Sequence, residues 1–390
     1  MTKVDAVAFL VIVLVAAGAA VISAFAARWL VLPVVVVELV LGIIVGPQVL
    51  DWAEVDNFTT FFSNLGLGML FFFAGYEIDF DRIKGTALKL GGIGWVVSLL
   101  IAHACAVVLW LIGAIDAPVY AACAMSTTAI GTLIPILRDS GDLRTDFGTK
   151  LLAAGALGEF GPILLMTVFL STDRPAKQLA ILLAFVVVAL ATGLFAVRSA
   201  GRGWETLDRT LHGSSQLAVR LVVLLVIALV ALASKLGLDL LLGGFMAGLI
   251  FRQMVGRREV EVLESKLTAV GYGFLIPFFF VFSGMKFDLD ALLGSAKALV
   301  LLPVFLGLFL VVRGAPALLL YREVLDARAR RALALFCSAE LPLVVAITGL
   351  AVEAGKMDGA TAAALVGAGI LSTLLYPLAA LSLRRTAVAA

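Results

Sequence analysis

The sequence predicts an all-α integral membrane protein: about thirteen transmembrane helices in a six-plus-one-plus-six inverted repeat with two discontinuous helices. Three observations lead there. The composition is 62% hydrophobic and only 14% charged, with a mean hydropathy of +1.12, too apolar for a surface in water. Apolar runs of spanning length recur along the whole chain, and Lys and Arg gather on alternate sides of them. Short motifs return in order at a near-constant offset.

A helix crossing a bilayer needs roughly 20 apolar residues, so 390 residues hold these spans and their turns and leave no room for a separate soluble domain. One transmembrane domain over residues 1–390 is expected. Lys and Arg number 29 against 27 Asp and Glu, a formal +2, which argues against nucleic acid as a partner. Cys105, Cys123 and Cys337 lie in apolar stretches without metal-ligand spacing and read as free thiols.

Runs bounded by charge, Gly and Pro place the spans near 5–26, 30–46, 57–76, 88–113, 117–137, 147–171, 178–197, 217–235, 237–251, 262–283, 297–320, 331–352 and 359–383. Twenty-one Lys and Arg then fall on the side of the C-terminus and seven on the other, which leaves Arg313, in the middle of a span. Cytoplasmic loops carry the basic excess, so the protein is expected in the cell membrane with its N-terminus outside and its C-terminus cytoplasmic. A span miscounted midway would erase the bias, so the same count supports the odd number of crossings. The opening run from Lys3 to Ala27 also has the form of a secretory signal with a small-residue cleavage site. Its partner in the repeat keeps it as the first span.

That repeat is read from several pairs. Phe71 to Asp81 and Phe280 to Asp290 share Phe, Phe, Gly, Asp and Asp, with Gly75 and Gly284 at an offset of 209. Gly42 with Gly46 and Gly244 with Gly248 form two G-x-x-x-G pairs at an offset of 202. Cys123 with Cys337 and Gly141 with Gly355 stand 214 apart. Repeat one covers about 5–171, the connector about 178–197 and repeat two about 217–383. Units that start seven helices apart face opposite ways, the plan many secondary transporters use for alternating access.

Ionisable groups deep in a bilayer cost several kcal/mol unless paired or watered, so they are the first functional candidates. Glu159 lies in Leu157-Gly158-Glu159-Phe160-Gly161-Pro162, where two glycines and a proline loosen the helix; it reads as a carboxylate that binds a proton or a cation, or else as half of a structural ion pair. Arg313 sits too deep to snorkel and is expected to compensate charge by pairing with Glu159 or Glu340. Glu340, before Pro342, has Ser126 as its repeat mate, and Ser126-Thr127-Thr128 form a hydroxyl cluster ahead of Gly131. Two equivalent spans interrupted near mid-membrane point to a pair of discontinuous helices lining a site. The expectation is that they meet near Glu159, because a hard cation needs several oxygen ligands. The bland reading of the hydroxyls is back-bonding to their own helix. Glu38, a turn from Gly42, is either an accessory site or a packing residue, and His103 a satisfied core residue. Glu77 and Lys286, repeat mates at span ends, read as interfacial pairing residues.

These residues carry a resemblance. Pro33 to Glu38 with Gly42, Gly46 and Pro47 resembles the P-x-x-x-x-E-x-x-x-G-x-x-x-G-P start of the monovalent cation:proton antiporter family, which includes Kef-type potassium efflux systems and sodium/proton exchangers. Phe71 to Asp79, Ser126 to Ile130, Gly243 to Gly248 and Phe280 to Asp288 are similar to further motifs of that family, in its order and over nearly the whole chain. The resemblance implies a homodimer, a core in which the two broken helices cross, and elevator-like movement of that core. It places the ion-binding carboxylate at Glu159, the basic residue of the eleventh helix at Arg313 and the Kef-type twelfth-helix Glu at Glu340. The residue before the ion-binding carboxylate is usually polar in the family, and here it is Gly158. Kef-type members carry a C-terminal nucleotide-binding domain, and none is expected here.

The expected function is exchange of Na⁺ or K⁺ for H⁺, one for one and electroneutral, with Glu159 as the shared site. The transported ions are the substrates, and no cofactor and no enzymatic activity are expected. Two other classes stand beside it: a gated Kef-like potassium efflux channel, against which no T-V-G-Y-G-type filter occurs, and a sodium-coupled solute symporter, whose site would call for more polar spans. An intramembrane enzyme fits least, with no H-E-x-x-H and no nucleophile elbow.

Overall fold

The computed structural model describes residues 6–26, 32–78, 83–169, 176–193, 215–238, 240–255 and 261–388. Expected span residues 5, 30–31, 170–171, 194–197 and 239 lie outside these, as do Asp79 and Asp81 of the first Phe-rich motif. All regular structure among the described residues is helical. Ten runs are long and apolar enough to cross a membrane, and Val34–Val45, Pro118–Ile134 and Leu240–Val255 are shorter apolar helices. Together they account for the thirteen expected spans, and the chain is an integral membrane protein.

In order, the first repeat comprises α1 (Ala6–Ala26), α2 (Val34–Val45), α3 (Asn57–Tyr76), α4 (Thr86–Leu111), α5 (Pro118–Met125), α6 (Ile130–Asp139) and α7 (Asp146–Phe169). The connector is α8 (Ala176–Gly193). The second repeat comprises α9 (Leu217–Lys235), α10 (Leu240–Val255), α11 (Glu261–Val270), α12 (Ile276–Met285), α13 (Leu289–Leu293), α14 (Ala296–Phe309), α15 (Ala315–Leu320), α16 (Ala327–Cys337), α17 (Pro342–Glu353) and α18 (Gly359–Val388). The fifth span is two helices, α5 and α6, and the twelfth is also two, α16 and α17. The tenth and eleventh spans each run through a π-helical turn, Gly271–Leu275 between α11 and α12 and Leu310–Gly314 between α14 and α15. π-turns inside helices gather at functional places, and the second of these contains Arg313.

Local chemistry sets the helix ends. Asp56 and Thr59 form a capping box at the start of α3, with Thr59 N–H donating to Asp56 Oδ1 at 2.6 Å. Asp326 accepts from the backbone N–H of Arg328 and Ala329 at the start of α16. The repeat pair Gly141 and Gly355 ends both broken spans with φ of +76° and +64°. This left-handed turn is open to glycine at little cost.

The described chain forms two compact units, each drawing on both repeats. Unit one takes in residues up to 13, 55–79 and 163–282. In it α3 packs closely on α10: a Cβ at Gly75 would lie 2.1 Å from Phe245 O, and one at Gly248 would lie 2.0 Å from Phe72 O. Small residues let the backbones meet, as in other membrane helix pairs. Phe9, Phe58, Phe62, Phe274 and Phe278 form an aromatic cluster here, with ring centroids 5.0–6.2 Å apart.

Unit two takes in residues 14–54, 80–162 and 283–390. It holds the repeat counterpart of the first contact, α2 against the end of α12, where a Cβ at Gly284 would lie 2.1 Å from Leu39 O. The two G-x-x-x-G motifs are therefore packing devices, each receiving the glycine of a Phe-rich motif from the other repeat. Both broken spans and all the candidate site residues belong to unit two. Beneath them Leu133, Leu151, Leu333 and Phe336 form part of a buried core. Asp142 is held by Arg384, whose guanidinium also lies 4.3 Å over the Phe147 ring. At the helix ends Lys286 pairs with Glu353 at 2.9 Å.

Candidate functional site

The two breaks cross and bind each other. At the first, helix geometry stops at Met125 and resumes at Ile130; at the second it stops at Cys337 and resumes at Pro342. Backbone groups freed at a break need partners, and here the first break donates to carbonyls of the second. Ala129 N–H donates to Ala339 O at 2.8 Å, and the Thr128 hydroxyl donates to Cys337 O at 2.6 Å. Thr127 Oγ1 stands 3.4 Å from Glu340 Oε2.

Ser126 and Thr127 also bond back to their own helix, at Cys123 O and Ala124 O, both at 2.9 Å. Their hydroxyl protons are thereby directed at carbonyls, and their oxygens keep lone pairs for another donor or a cation.

Glu340 is fully buried. Its backbone is fastened to α18, with Glu340 N–H donating to Ser372 Oγ at 3.0 Å and the Ser372 hydroxyl near Glu340 O at 3.2 Å. Its Oε1 has no hydrogen-bond partner among the described residues.

Glu159 is 3% exposed, and its buried Oε2 has no hydrogen-bond partner among the described residues. Its helix, α7, is continuous through Pro162 rather than broken. Pro162 has no N–H to offer to Gly158 O, so one carbonyl is released without a gap in the helix. Three glycines one turn apart make a groove along α7. A Cβ at Gly155 would lie 2.5 Å from Ile130 Cδ1, one at Gly158 2.5 Å from Arg313 Nη2 and 2.9 Å from Thr128 Oγ1, and one at Gly161 2.2 Å from the Trp95 ring. The residue next to Glu159 is thus packed against Arg313 and against Thr128 of the first break.

Arg313 departs from expectation. It is 4% exposed, and its partners are neutral: Nε donates to Thr128 Oγ1 at 2.9 Å, Nη1 to Ser98 Oγ at 3.2 Å and Nη2 to Ala154 O at 3.0 Å. It forms no ion pair with Glu159 or Glu340. The bare backbone at Gly158 opens a slot into which the guanidinium fits, and the planar fork spends its donors on the hydroxyls and carbonyl lining that slot. Sequence reasoning missed Ser98 and Ala154. One signal was available for the former, because the 214-residue offset carries Arg313 back to Leu99, beside Ser98.

Glu38 is buried on α2, 3% exposed, and His103 Nδ1 lies 2.9 Å from Leu99 O in its own helix. Among the described residues no three His, Cys, Asp or Glu side chains converge.

The chain is 28% identical to the putative Na⁺/H⁺ antiporter YjbQ of Bacillus subtilis over 89% of its own length and 58% of that protein's. It is 27% identical to the Na⁺/H⁺-K⁺ antiporter GerN of Bacillus cereus over 67% of each chain. It therefore spans well under two thirds of the first relative and about two thirds of the second. The sodium proton antiporter MjNhaP1 of Methanocaldococcus jannaschii has the same fold, with a TM-score of 0.65 at 16% identity over 98% of this chain and 96% of that one. The family model for the transmembrane sodium/hydrogen exchangers matches residues 12–381, a stretch that takes in both repeats, both breaks, Glu159 and Arg313; the chain belongs to that family.

Proposed function

We propose that this protein exchanges a monovalent cation, Na⁺ or K⁺, for a proton across the cell membrane, with Glu159 as the group both ions share. The observation that carries the reading is Glu159 itself: a carboxylate in the interior of unit two, with no hydrogen-bond partner on its Oε2, next to a residue packed on the crossing of two broken helices. An unpaired carboxylate in such a place is too costly to keep without a use. Bound H⁺ and bound Na⁺ or K⁺ both neutralise it.

Thr127, Thr128 and Ser126, with carbonyls at the breaks, are the further oxygen ligands within the same unit. Arg313 and Glu340 balance charge around the crossing, and Glu38 is a possible accessory group on α2. Exchange is one proton for one cation, since a single carboxylate carries either load in the same neutral state. The names of YjbQ and GerN support the exchange reaction, and GerN's supports K⁺ beside Na⁺.

Movement is of the elevator type in a homodimer, as the family resemblance implies, and the division of the chain into two compact units supports it. The N-terminus faces outward and the C-terminus the cytoplasm, supported by the bias of basic residues.

Proteoliposomes with imposed pH and cation gradients test the reading. Cation-dependent proton efflux that stops in Glu159→Gln is expected. Cation flux without proton movement would instead indicate a channel, and flux that requires an organic solute a symporter.

A further inference from the structure

Between α4, α7 and the π-turn of Arg313 lies a small cavity, within unit two, with room for about one water-sized particle. Its lining includes Trp95, Ser98, Ala154, Arg313 and Tyr321. The indole Nε1 of Trp95 and the hydroxyl of Tyr321 are both buried without a hydrogen-bond partner among the described residues. Buried Trp N–H and Tyr O–H groups ordinarily find one. Tyr321 as a residue is only 2% exposed.

Trp95, Ser98, Arg313 and Tyr321, the polar side chains named in this lining, can all donate. Trp95 Nε1 can only donate. Ser98 Oγ already accepts from Arg313, which leaves its proton to give. Arg313 uses three of its five N–H groups on Thr128, Ser98 and Ala154. The carbonyl of Ala154, an acceptor of this lining, already takes a bond from Arg313 Nη2. No carboxylate lines the cavity. A water placed here would satisfy donors but would have two hydrogens of its own to place, with only the oxygens of Tyr321 and Ser98 among the named side chains able to accept them. A small anion has none. It would also stand beside a buried guanidinium whose hydrogen-bond partners are all neutral, where a counter-charge lowers the cost of burial.

We infer that this cavity is a binding site for a small inorganic anion of halide size, held by Trp95 Nε1, the Tyr321 hydroxyl and Arg313. The anion is a resident counter-ion of Arg313 and not a transported substrate, so the inference is independent of the exchange reaction and its test needs no transport.

The test is bromide binding to the purified full-length chain in nanodiscs, at constant sodium with gluconate as the balancing anion, read as quenching of tryptophan fluorescence. A saturable component is expected that chloride competes away and that Trp95→Phe removes. Tyr321→Phe should weaken it by about tenfold, the loss of one hydrogen bond to a charged acceptor. Quenching that rises linearly with bromide and is the same in wild type and Trp95→Phe would overturn the site, as would a saturable component untouched by Tyr321→Phe. Should that variant fail to fold, anomalous scattering from crystals of the wild type in bromide decides: a peak within hydrogen-bond distance of Trp95 Nε1 supports the site, and its absence refutes it.

Discussion

Arg313 occupies the place that a side chain at Gly158 would take. A Cβ built on Gly158 would lie 2.5 Å from Nη2 of the guanidinium, closer than any relaxed contact. The position before Glu159 is therefore empty of side chain because a basic group from the eleventh span fills it. It leaves Glu159 as the single carboxylate on that turn of α7.

The pair makes a direct prediction. Gly158→Ala should destabilise the protein by about 1–3 kcal/mol, the usual cost of overpacking a well-filled site. In an Arg313→Ala background the same change should cost much less, because the slot is vacated. Thermal unfolding of the four proteins of this cycle in detergent measures the coupling, and additive effects would show that the two residues do not compete for the space.

Arg313→Ala should lower stability by about 1.5–3 kcal/mol through the loss of charge-assisted bonds to Thr128, Ser98 and Ala154. It should also abolish exchange. Arg313→Lys keeps the charge but not the planar fork, so it should recover part of the stability and little of the activity. Full activity in Arg313→Ala would remove any role for this residue in balancing charge.

Much of this was legible in the sequence. Proline, glycine and hydroxyl residues at Ser126 to Gly131 and Ser338 to Pro342 mark both breaks because backbone restriction is a local property. The repeat pair Gly141 and Gly355 marks the left-handed turns for the same reason. The partners of Arg313 were not legible. A guanidinium's choice between a carboxylate and three neutral acceptors depends on which backbones approach, and that followed from the bare Gly158 and from Ser98 on another helix. The continuity of α7 was hidden too, since a proline inside a packed membrane helix can lose one hydrogen bond without breaking it.

Topology offers an independent check. From the excess of basic residues on one side, a reporter fused after Arg385 should be cytoplasmic and a tag ahead of Met1 accessible from outside. Finding both ends on one side would require an even number of crossings and would undo the inversion of the repeats.

Asp358, in the turn before α18, gives a pH dependence. Burial works to raise its pKa, but the Thr361 hydroxyl and N–H, at 2.6 and 2.8 Å, and the Lys297 ammonium at 3.4 Å outweigh it and hold the carboxyl below its usual range. A group whose pKa is lower in the folded state stabilises above its unfolded value, and that stability is lost as pH falls through the folded one. Thermal stability should therefore drop on the acid side below the ordinary carboxylate range, and Asp358→Asn should show a shallower drop. An identical acid limb in the two proteins would assign the effect elsewhere.

The most direct measurement is counterflow of protons and cations in proteoliposomes containing wild type or Glu159→Gln, with membrane voltage clamped by an ionophore at fixed ion gradients. Exchange through one shared carboxylate predicts a wild-type rate that does not follow voltage and a variant that exchanges nothing. A rate that tracks voltage, or exchange that persists in Glu159→Gln, would contradict it, and Glu340 would then be the next carboxylate to remove.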